Sequence, residues 1–223
     1  MFSYYGSKSK IVKLYPNPKY DTIIEPFAGS ARYSLHADNW KKKVELYDSS
    51  PIIADLWNYL INVDEREILN LPDVIKGDDI RKLNLTIEQR YLMGFCINRG
   101  SVTPKNIVSG FCSWNKDRIR IAGSLYKIRH WKIYNRDYKE IENTRASWFI
   151  DPPYRKMGSF YPESSNHIDF SFLADWCKNR IGQTIVCENL EADWLPFKPL
   201  IEFSGAYRKN TEAIFEQETN DKS

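Results

Sequence analysis

A chain of 223 residues with 42% hydrophobic and 27% charged residues is long enough for one large domain, or for one domain carrying an insertion, and has the composition of a soluble globular protein. Cys96, Cys112, Cys177 and Cys187 show no C-x-x-C spacing and His36, His130 and His167 lie far apart, which argues against a disulfide framework and against a metal site, and leaves reduced, buried cysteines as the expectation. No apolar run approaches the roughly 20 residues that cross a bilayer, and the first residues lack the charged head and apolar middle of a signal peptide, so no membrane association and a cytoplasmic location are expected.

Along the chain, Ser3–Lys10 is a polar loop, and Ile11–Tyr15 is a short helix ended by Pro16 and Pro18. The P-loop pattern G-x-x-x-x-G-K-[ST] is absent. Thr22-Ile23-Ile24 reads as a buried strand, the small residues 28–31 as a tight turn, and Arg32–His36 as the start of a helix. Strand, small-residue turn and helix make the βα unit that seats nucleotide-like cofactors at the carboxyl end of its strand. Of the dinucleotide fingerprint G-x-G-x-x-G only Gly29 is present, which favours a smaller cofactor without a pyrophosphate. Val44–Asp48 is a second strand. Asp48, 19 residues after Gly29, is placed either to accept from ribose hydroxyls or to cap the helix that Ser49-Ser50-Pro51 opens toward Trp57 and Leu60.

From about Asn62 the alternation of strand and helix stops. Helical patterns cover Glu65–Leu71, Thr86–Cys96 and Ile121–Ile128, with Gly100, Pro104, Gly110 and Gly123 as turn points. Between Arg99 and Lys139 stand ten Lys or Arg against two acids, interleaved with Phe111, Trp114, Tyr126, Trp131 and Tyr134. Such a surplus attracts a phosphate backbone, or forms a solvated basic face. Strands resume over Trp131–Tyr134, then come a helical turn over Lys139–Asn143 and the apolar run Trp148–Ile150. A polar loop over Arg155–Asn166 is long enough to cover a site. Ile168–Asn179 forms an amphipathic helix, Gln183–Asn189 and Glu212–Glu216 form further strands, and Gln217–Ser223 is a polar tail. This pattern divides the chain into one catalytic domain, 1–61 with 131–223, and one inserted unit, 62–130.

Asp151-Pro152-Pro153-Tyr154 closes the strand at Ile150. The two prolines stop the strand and stiffen the turn, because each fixes φ and lacks an N–H. The turn presents a carboxylate, free carbonyls and an aromatic ring, acceptors beside a flat face that suit a planar ring bearing an amino group. A plain strand stop would carry the same residues.

Taken together, Tyr4-Tyr5-Gly6-Ser7-Lys8, Glu25-Pro26-Phe27-Ala28-Gly29-Ser30-Ala31, Asp48, Asn135-Arg136-Asp137-Tyr138 and Asp151-Pro152-Pro153-Tyr154 resemble, in order, the motifs of the Dam-like DNA adenine-N6 methyltransferases. Tyr4 stands where that family usually has tryptophan, and Ala31 where it often has glycine. The resemblance implies an α/β, Rossmann-like class I methyltransferase fold with a mainly parallel seven-stranded sheet and a small inserted target-recognition unit. It also implies S-adenosylmethionine as cofactor, double-stranded DNA as partner, and a bacterial or phage-infected cell as the setting.

By the same resemblance, Asp151 and the Pro152 carbonyl would each accept one N–H of the adenine amino group, with Pro153 stiffening the turn and Tyr154 stacking on the base. That nitrogen is a poor nucleophile and is out of reach inside the duplex, so the base is expected to be flipped out. Tyr4, Lys8, Glu25, Phe27, Gly29, Asp48, Asp137, Tyr138 and Asp151 would border the cofactor, with Asp48 on its ribose and Asp137 and Tyr138 on its adenine. Singly, Lys8 reads equally as a surface lysine, Asp137 as a turn residue and Tyr138 as a core ring. Arg99, Lys105, Asn106, Lys116, Arg118 and Arg120 would contact DNA. A cytosine-C5 enzyme is excluded by the lack of a Pro-Cys pair. Cytosine-N4 or RNA methylation, or a fold that binds DNA without turnover, are the alternatives.

Overall fold

A computed structural model describes residues 1–9, 11–98, 100–110, 112–155, 168–204 and 209–220. Apart from Arg155, the loop expected over Arg155–Asn166 lies outside the described residues, as does Arg99 among the expected DNA contacts. Seven strands form one sheet: β1 (Thr22–Glu25), β2 (Lys43–Asp48), β3 (Lys132–Asn135), β4 (Ala146–Ile150), β5 (Gly182–Asn189), β6 (Lys198–Ser204) and β7 (Lys209–Thr219). Their order is β3-β2-β1-β4-β5-β7-β6. The first five are parallel, and β7 runs antiparallel to both β5 and β6. The expected mainly parallel, seven-stranded α/β sheet is what the chain forms.

Every residue of β4 is buried, as is β5 from Gly182 to Glu188, the signature of strands covered on both faces. Strand order reverses direction between β1 and β4, which opens a crevice at the carboxyl ends of these strands. One apolar layer gathers Trp57, Phe149, Phe95 and Trp114, and the layer on Trp148 gathers Tyr47, Tyr138 and Trp176.

The helices are α1 (Pro51–Asn62), α2 (Glu65–Asn70), α3 (Ile87–Cys96), α4 (Trp114–Ala122) and α5 (Phe170–Lys178). Pro51 opens α1, and the Thr86/Gln89 capping box opens α3. Residues 62–130, expected as an insertion, lie between α1 and β3 and share the core of the sheet. The Phe95 ring centroid is 5.4 Å from that of Phe2 and 5.7 Å from that of Tyr4. Gly94 lets residues 104–105 lie directly on α3, since a Cβ there would meet the Pro104 Cβ at 2.6 Å and the Lys105 carbonyl oxygen at 2.8 Å.

Several elements differ from expectation. Arg32–His36 forms consecutive turns, not a helix. Ala31 and Ala37 both adopt positive φ, 45° and 46°, and the Ser34 N–H is diverted to the Glu25 carboxylate at 2.9 Å, so no helical ladder can propagate. Short 3-10 turns, at Val12–Leu14 and Tyr138–Glu140, stand in place of the helix at Ile11–Tyr15 and the helical turn at Lys139–Asn143. The helix expected over Ile121–Ile128 is α4 instead, with the 3-10 turn Leu125–Lys127 after it. Only Trp114, Ile121 and Ala122 of α4 are buried, so its apolar period is thin and its polar residues mask it. Strand β6 has no counterpart among the expected strands. It is an edge strand containing Pro199, with a register shift between Pro199 and Ile201, a place where proline is tolerated. Strand β7 is longer at both ends than the expected Glu212–Glu216.

Candidate active site

The site is built at the carboxyl ends of four adjacent parallel strands. After β1, the backbone turns at Gly29, whose φ is +43°. Its N–H donates to Asp48 Oδ2 at 3.0 Å, and its carbonyl accepts from the Trp57 indole N–H at 2.8 Å. A Cβ at this position would lie 3.1 Å from the Tyr4 ring, so the glycine serves both the left-handed turn and the close approach of the aromatic. Asp48, at the end of β2, also accepts from the Ser50 N–H at 3.0 Å. The residue at the helix cap is Ser50, so Asp48 fastens the Gly29 turn to the start of α1 rather than capping the helix.

After β3, Asp137 caps the next turn, accepting from the Lys139 N–H at 2.9 Å. Tyr138 is buried, with its ring 5.3 Å from Phe27, and its hydroxyl is a buried oxygen without a hydrogen-bond partner among the described residues. After β4 comes Asp151. A cavity of about 310 Å³ collects these positions: Tyr4, Lys8, Glu25, Phe27, Gly29, Asp48, Asp137, Tyr138 and Asp151 all line it, with Pro153. All nine residues expected around a cofactor therefore share one cavity. Pro152 and Tyr154 are not among its lining residues.

The polar centre joins the N-terminal loop to the end of β4 and to β7. Lys8 Nζ lies 3.2 Å from Asp151 Oδ1 and 3.2 Å from Glu212 Oε1, and it donates to the Tyr154 hydroxyl. Glu212 Oε1 further accepts from the Tyr154 hydroxyl at 2.5 Å and from the Tyr15 hydroxyl at 2.7 Å. Lys8 and Glu212 are buried. Burial would lower the Lys8 ammonium, but the Asp151 and Glu212 carboxylates outweigh it and hold the ammonium well above its usual range. Burial pushes Asp151 up to about 6 against the pull of Lys8, and pushes Glu25 up to about 8. Glu188, at the end of β5, accepts from the Arg155 N–H and the Trp194 indole, each at 3.1 Å, and so anchors the chain leaving the proline turn.

Glu212 is a member of this centre that the sequence does not single out. Its signal is an acid on an antiparallel strand: β7 runs opposite to β5, and Glu212 pairs with Asn189 at the carboxyl end of β5, which brings it to the same end of the sheet as Asp151.

The predicted DNA contacts divide in two. Lys105, Asn106 and Lys116 are exposed. Arg118 is turned inward, donating to the Leu71 carbonyl and pairing with Asp73 at 2.7 Å. Arg120 donates to the Met1 carbonyl at 2.8 Å and pairs with Asp117 at 2.9 Å. Among the described residues no cluster of His, Cys, Asp or Glu could hold a metal ion, and no helix is long and apolar enough to cross a membrane. Cys96, Cys177 and Cys187 are buried free thiols, and Cys112 is partly buried.

The Gly29 turn, the Tyr4 ring above it and Asp48 beside it all lie in one stretch of sequence that a known family shares. Residues 4–89 match the D12 class N6 adenine-specific DNA methyltransferase family. The D12-class match takes in three of the motifs around the cavity, Tyr4–Lys8, Glu25–Ala31 and Asp48, and ends before Asp137 and the proline turn. No curated protein matches the chain. Among solved structures, similarity extends to a conserved hypothetical protein from Streptococcus pyogenes (10% identity, TM-score 0.35, covering 86% of this chain and 84% of that one). It extends also to a putative methyltransferase from Escherichia coli (9%, 0.40, 96% and 81%) and a putative methylase from Haemophilus influenzae (12%, 0.37, 89% and 80%).

Proposed function

We propose that this chain is a Rossmann-like methyltransferase that transfers a methyl group from S-adenosylmethionine to the N6 amino group of an adenine flipped out of double-stranded DNA. The observation that carries the reading is the position of Asp151: a carboxylate at the carboxyl end of β4, on the wall of the cavity that Gly29 and Asp48 also line.

The cavity's chemistry fits the cofactor. Asp48 and Asp137 offer carboxylate acceptors for hydroxyl and amino donors, and a carboxylate oxygen accepts more than one hydrogen bond. Phe27 and Tyr138 offer apolar ring surface with a Tyr138 hydroxyl that has no partner among the described residues, and Gly29 lets the Tyr4 ring come close to the backbone of the turn. When bound, S-adenosylmethionine supplies an electrophilic methyl group on sulfur.

The chain's own residues would do the rest by placement and charge. The Asp151 carboxylate and the Pro152 carbonyl accept the two amino hydrogens of the base, which localises the nitrogen lone pair. Pro153 keeps that pair of acceptors rigid. The Tyr154 ring lies against the base, and aromatic stacking worth about 1–3 kcal/mol offsets part of the cost of extrusion. The segment 62–130 forms the target-recognition unit, in which the exposed Lys105, Asn106 and Lys116 face DNA, with Lys105 and Lys116 on phosphates.

The test is incubation of the purified protein with S-adenosylmethionine and duplex DNA, with digestion and mass spectrometry of the nucleosides. Wild type yields N6-methyladenine, and Asp151→Ala loses it while still binding DNA. Methylation confined to cytosine, or an Asp151→Ala variant as active as wild type, overturns the assignment.

A further inference from the structure

Lys8 Nζ stands between two carboxylates at equal distances, 3.2 Å from Asp151 Oδ1 and 3.2 Å from Glu212 Oε1. On the proposed function, an Asp151 oxygen must receive an N–H of the base, yet in the free protein an ammonium already donates toward one. A carboxylate buried without a partner is costly, so a resting cation on Asp151 is physically expected. The carboxylate can accept from the ammonium and the base together, but a cation held on Oδ1 draws on the charge that Asp151 offers the base, and a second seat for the cation would return that charge.

We propose that Glu212 is a positioning residue of this site, a second seat that takes the Lys8 ammonium off Asp151 and so opens the Asp151 carboxylate to the amino group of the base. The inference rests on the proposed function and deepens it. The seat is already built. Glu212 is buried on β7, and its Oε1 is fixed by the Tyr15 hydroxyl at 2.7 Å and the Tyr154 hydroxyl at 2.5 Å. The Tyr154 hydroxyl also accepts from Lys8, so the lysine can lean toward Glu212 while keeping a partner. A short movement of one ammonium thus exchanges the partner of Asp151 without stranding a charge. Tyr154 is held by its hydroxyl throughout, which keeps its ring beside the proline turn. Glu212 lies far outside the segment matched to the D12 class, so the device belongs to the sheet's antiparallel edge.

Two measurements test it. The first reads no turnover: the titration of the Asp151 side-chain carboxyl, tracked by carbon NMR in the full-length protein. Among the described residues, Lys8 from the N-terminal loop, Glu212 on β7, Glu188 and Cys187 on β5, Glu25 on β1, and the Tyr15 and Tyr154 hydroxyls are the charged or titratable groups acting on this carboxyl. Glu212→Gln removes a neighbouring negative charge and, if Lys8 is shared, also leaves the lysine wholly to Asp151, so the carboxyl titrates at lower pH than in wild type, and falls further than the same change makes it fall in a Lys8→Met background. A fall just as large in the Lys8→Met background, or no fall at all, overturns the sharing, whatever the protein methylates.

The second is a double-mutant cycle on methyl transfer. Glu212→Gln is expected to lower kcat/KM for DNA about tenfold or more, the scale at which misplaced groups cost activity, with S-adenosylmethionine affinity within about twofold of wild type. In a Lys8→Met background the same change is expected to cost little further, because no ammonium is left to move. Additive losses would make Glu212 merely structural and overturn the inference. Should Glu212→Gln fail to fold, Glu212→Asp, which keeps the charge but withdraws it by one methylene, is read in the same cycle. A wild-type protein that methylates no adenine, but whose Asp151 titration falls further in Glu212→Gln when Lys8 is present than in the Lys8→Met background, removes the proposed function and leaves the shared lysine standing.

Discussion

Glu25 is a carboxyl at the end of β1, 3% exposed, with the Ser34 N–H at 2.9 Å as its hydrogen-bond donor. Burial pushes it up to about 8 from an ordinary value of 4.5, the Ser34 bond pulling it only partly back. Between those two values the unfolded chain has lost the Glu25 proton and the folded chain still holds it. The folded state therefore binds more protons, and its stability falls as pH rises. The contribution is complete below the unfolded value and is lost as pH climbs through about 8. Asp151, pushed up to about 6 from 3.8, acts in the same direction over a lower window. Glu25→Gln keeps an acceptor for Ser34 and removes the charge. It is expected to flatten the decline and to make the variant more stable than wild type by on the order of a few kcal/mol near pH 9, with little difference near pH 5. Urea unfolding midpoints at the two pH values check this, and parallel curves for both proteins would show that Glu25 ionises in the fold at little cost.

At the scale of the element, the turn from β1 toward β2 shows what the sequence could and could not reveal. The strand, the small-residue turn and Asp48 were legible because each follows from local chemistry: β-branched residues, one glycine, one acid at a strand end. The helix expected at Arg32–His36 was not there, because its defeat comes from a distance, from the Glu25 carboxylate that takes the Ser34 N–H. Glu212 stayed hidden for a like reason, since only the antiparallel sense of β7 brings it to Asp151, and no spacing along the chain records a strand's direction. Pro199 concealed β6 because the edge position that excuses a proline is a property of the whole sheet. The proline turn itself was legible, being a run of residues whose stiffness is intrinsic. The positive φ at Ala37 is the most accessible cost in this stretch. Ala37 is exposed and adopts φ 46°, a conformation that a side chain with a Cβ enters unfavourably. Ala37→Gly is expected to raise stability by about 0.5–1 kcal/mol, relief of the left-handed strain being set against the greater chain entropy of glycine. Thermal unfolding of the variant reads the sign, and a lower midpoint would mean that strain at Ala37 is smaller than that entropy.

At the scale of the molecule, the described basic residues between positions 99 and 139 fall into two structurally different groups. Arg118 and Arg120 reach the carbonyls of Leu71 and Met1, and Arg129 spans the Ile61 and Val63 carbonyls at 2.6 Å each, at the end of α1. These arginines tie the 62–130 segment to itself, to α1 and to the N-terminal residue, and their charge is largely spent on backbone oxygens. Lys105 and Lys116 are exposed, and a solvated ammonium is what a phosphate can recruit with release of its counterions. The two groups are therefore expected to separate in experiment. Lys105→Ala with Lys116→Ala should leave the thermal midpoint near wild type and weaken DNA binding. The slope of log affinity against log salt should fall by roughly two, about one for each phosphate contact. Arg118→Ala should instead lower stability by about 1–3 kcal/mol, since it leaves the Leu71 carbonyl without its donor and Asp73 without its cation. Where the variant is folded, its salt slope should match wild type. A salt slope that drops in Arg118→Ala and holds in the double lysine variant would reverse the division and move the DNA-facing surface onto the inward arginine.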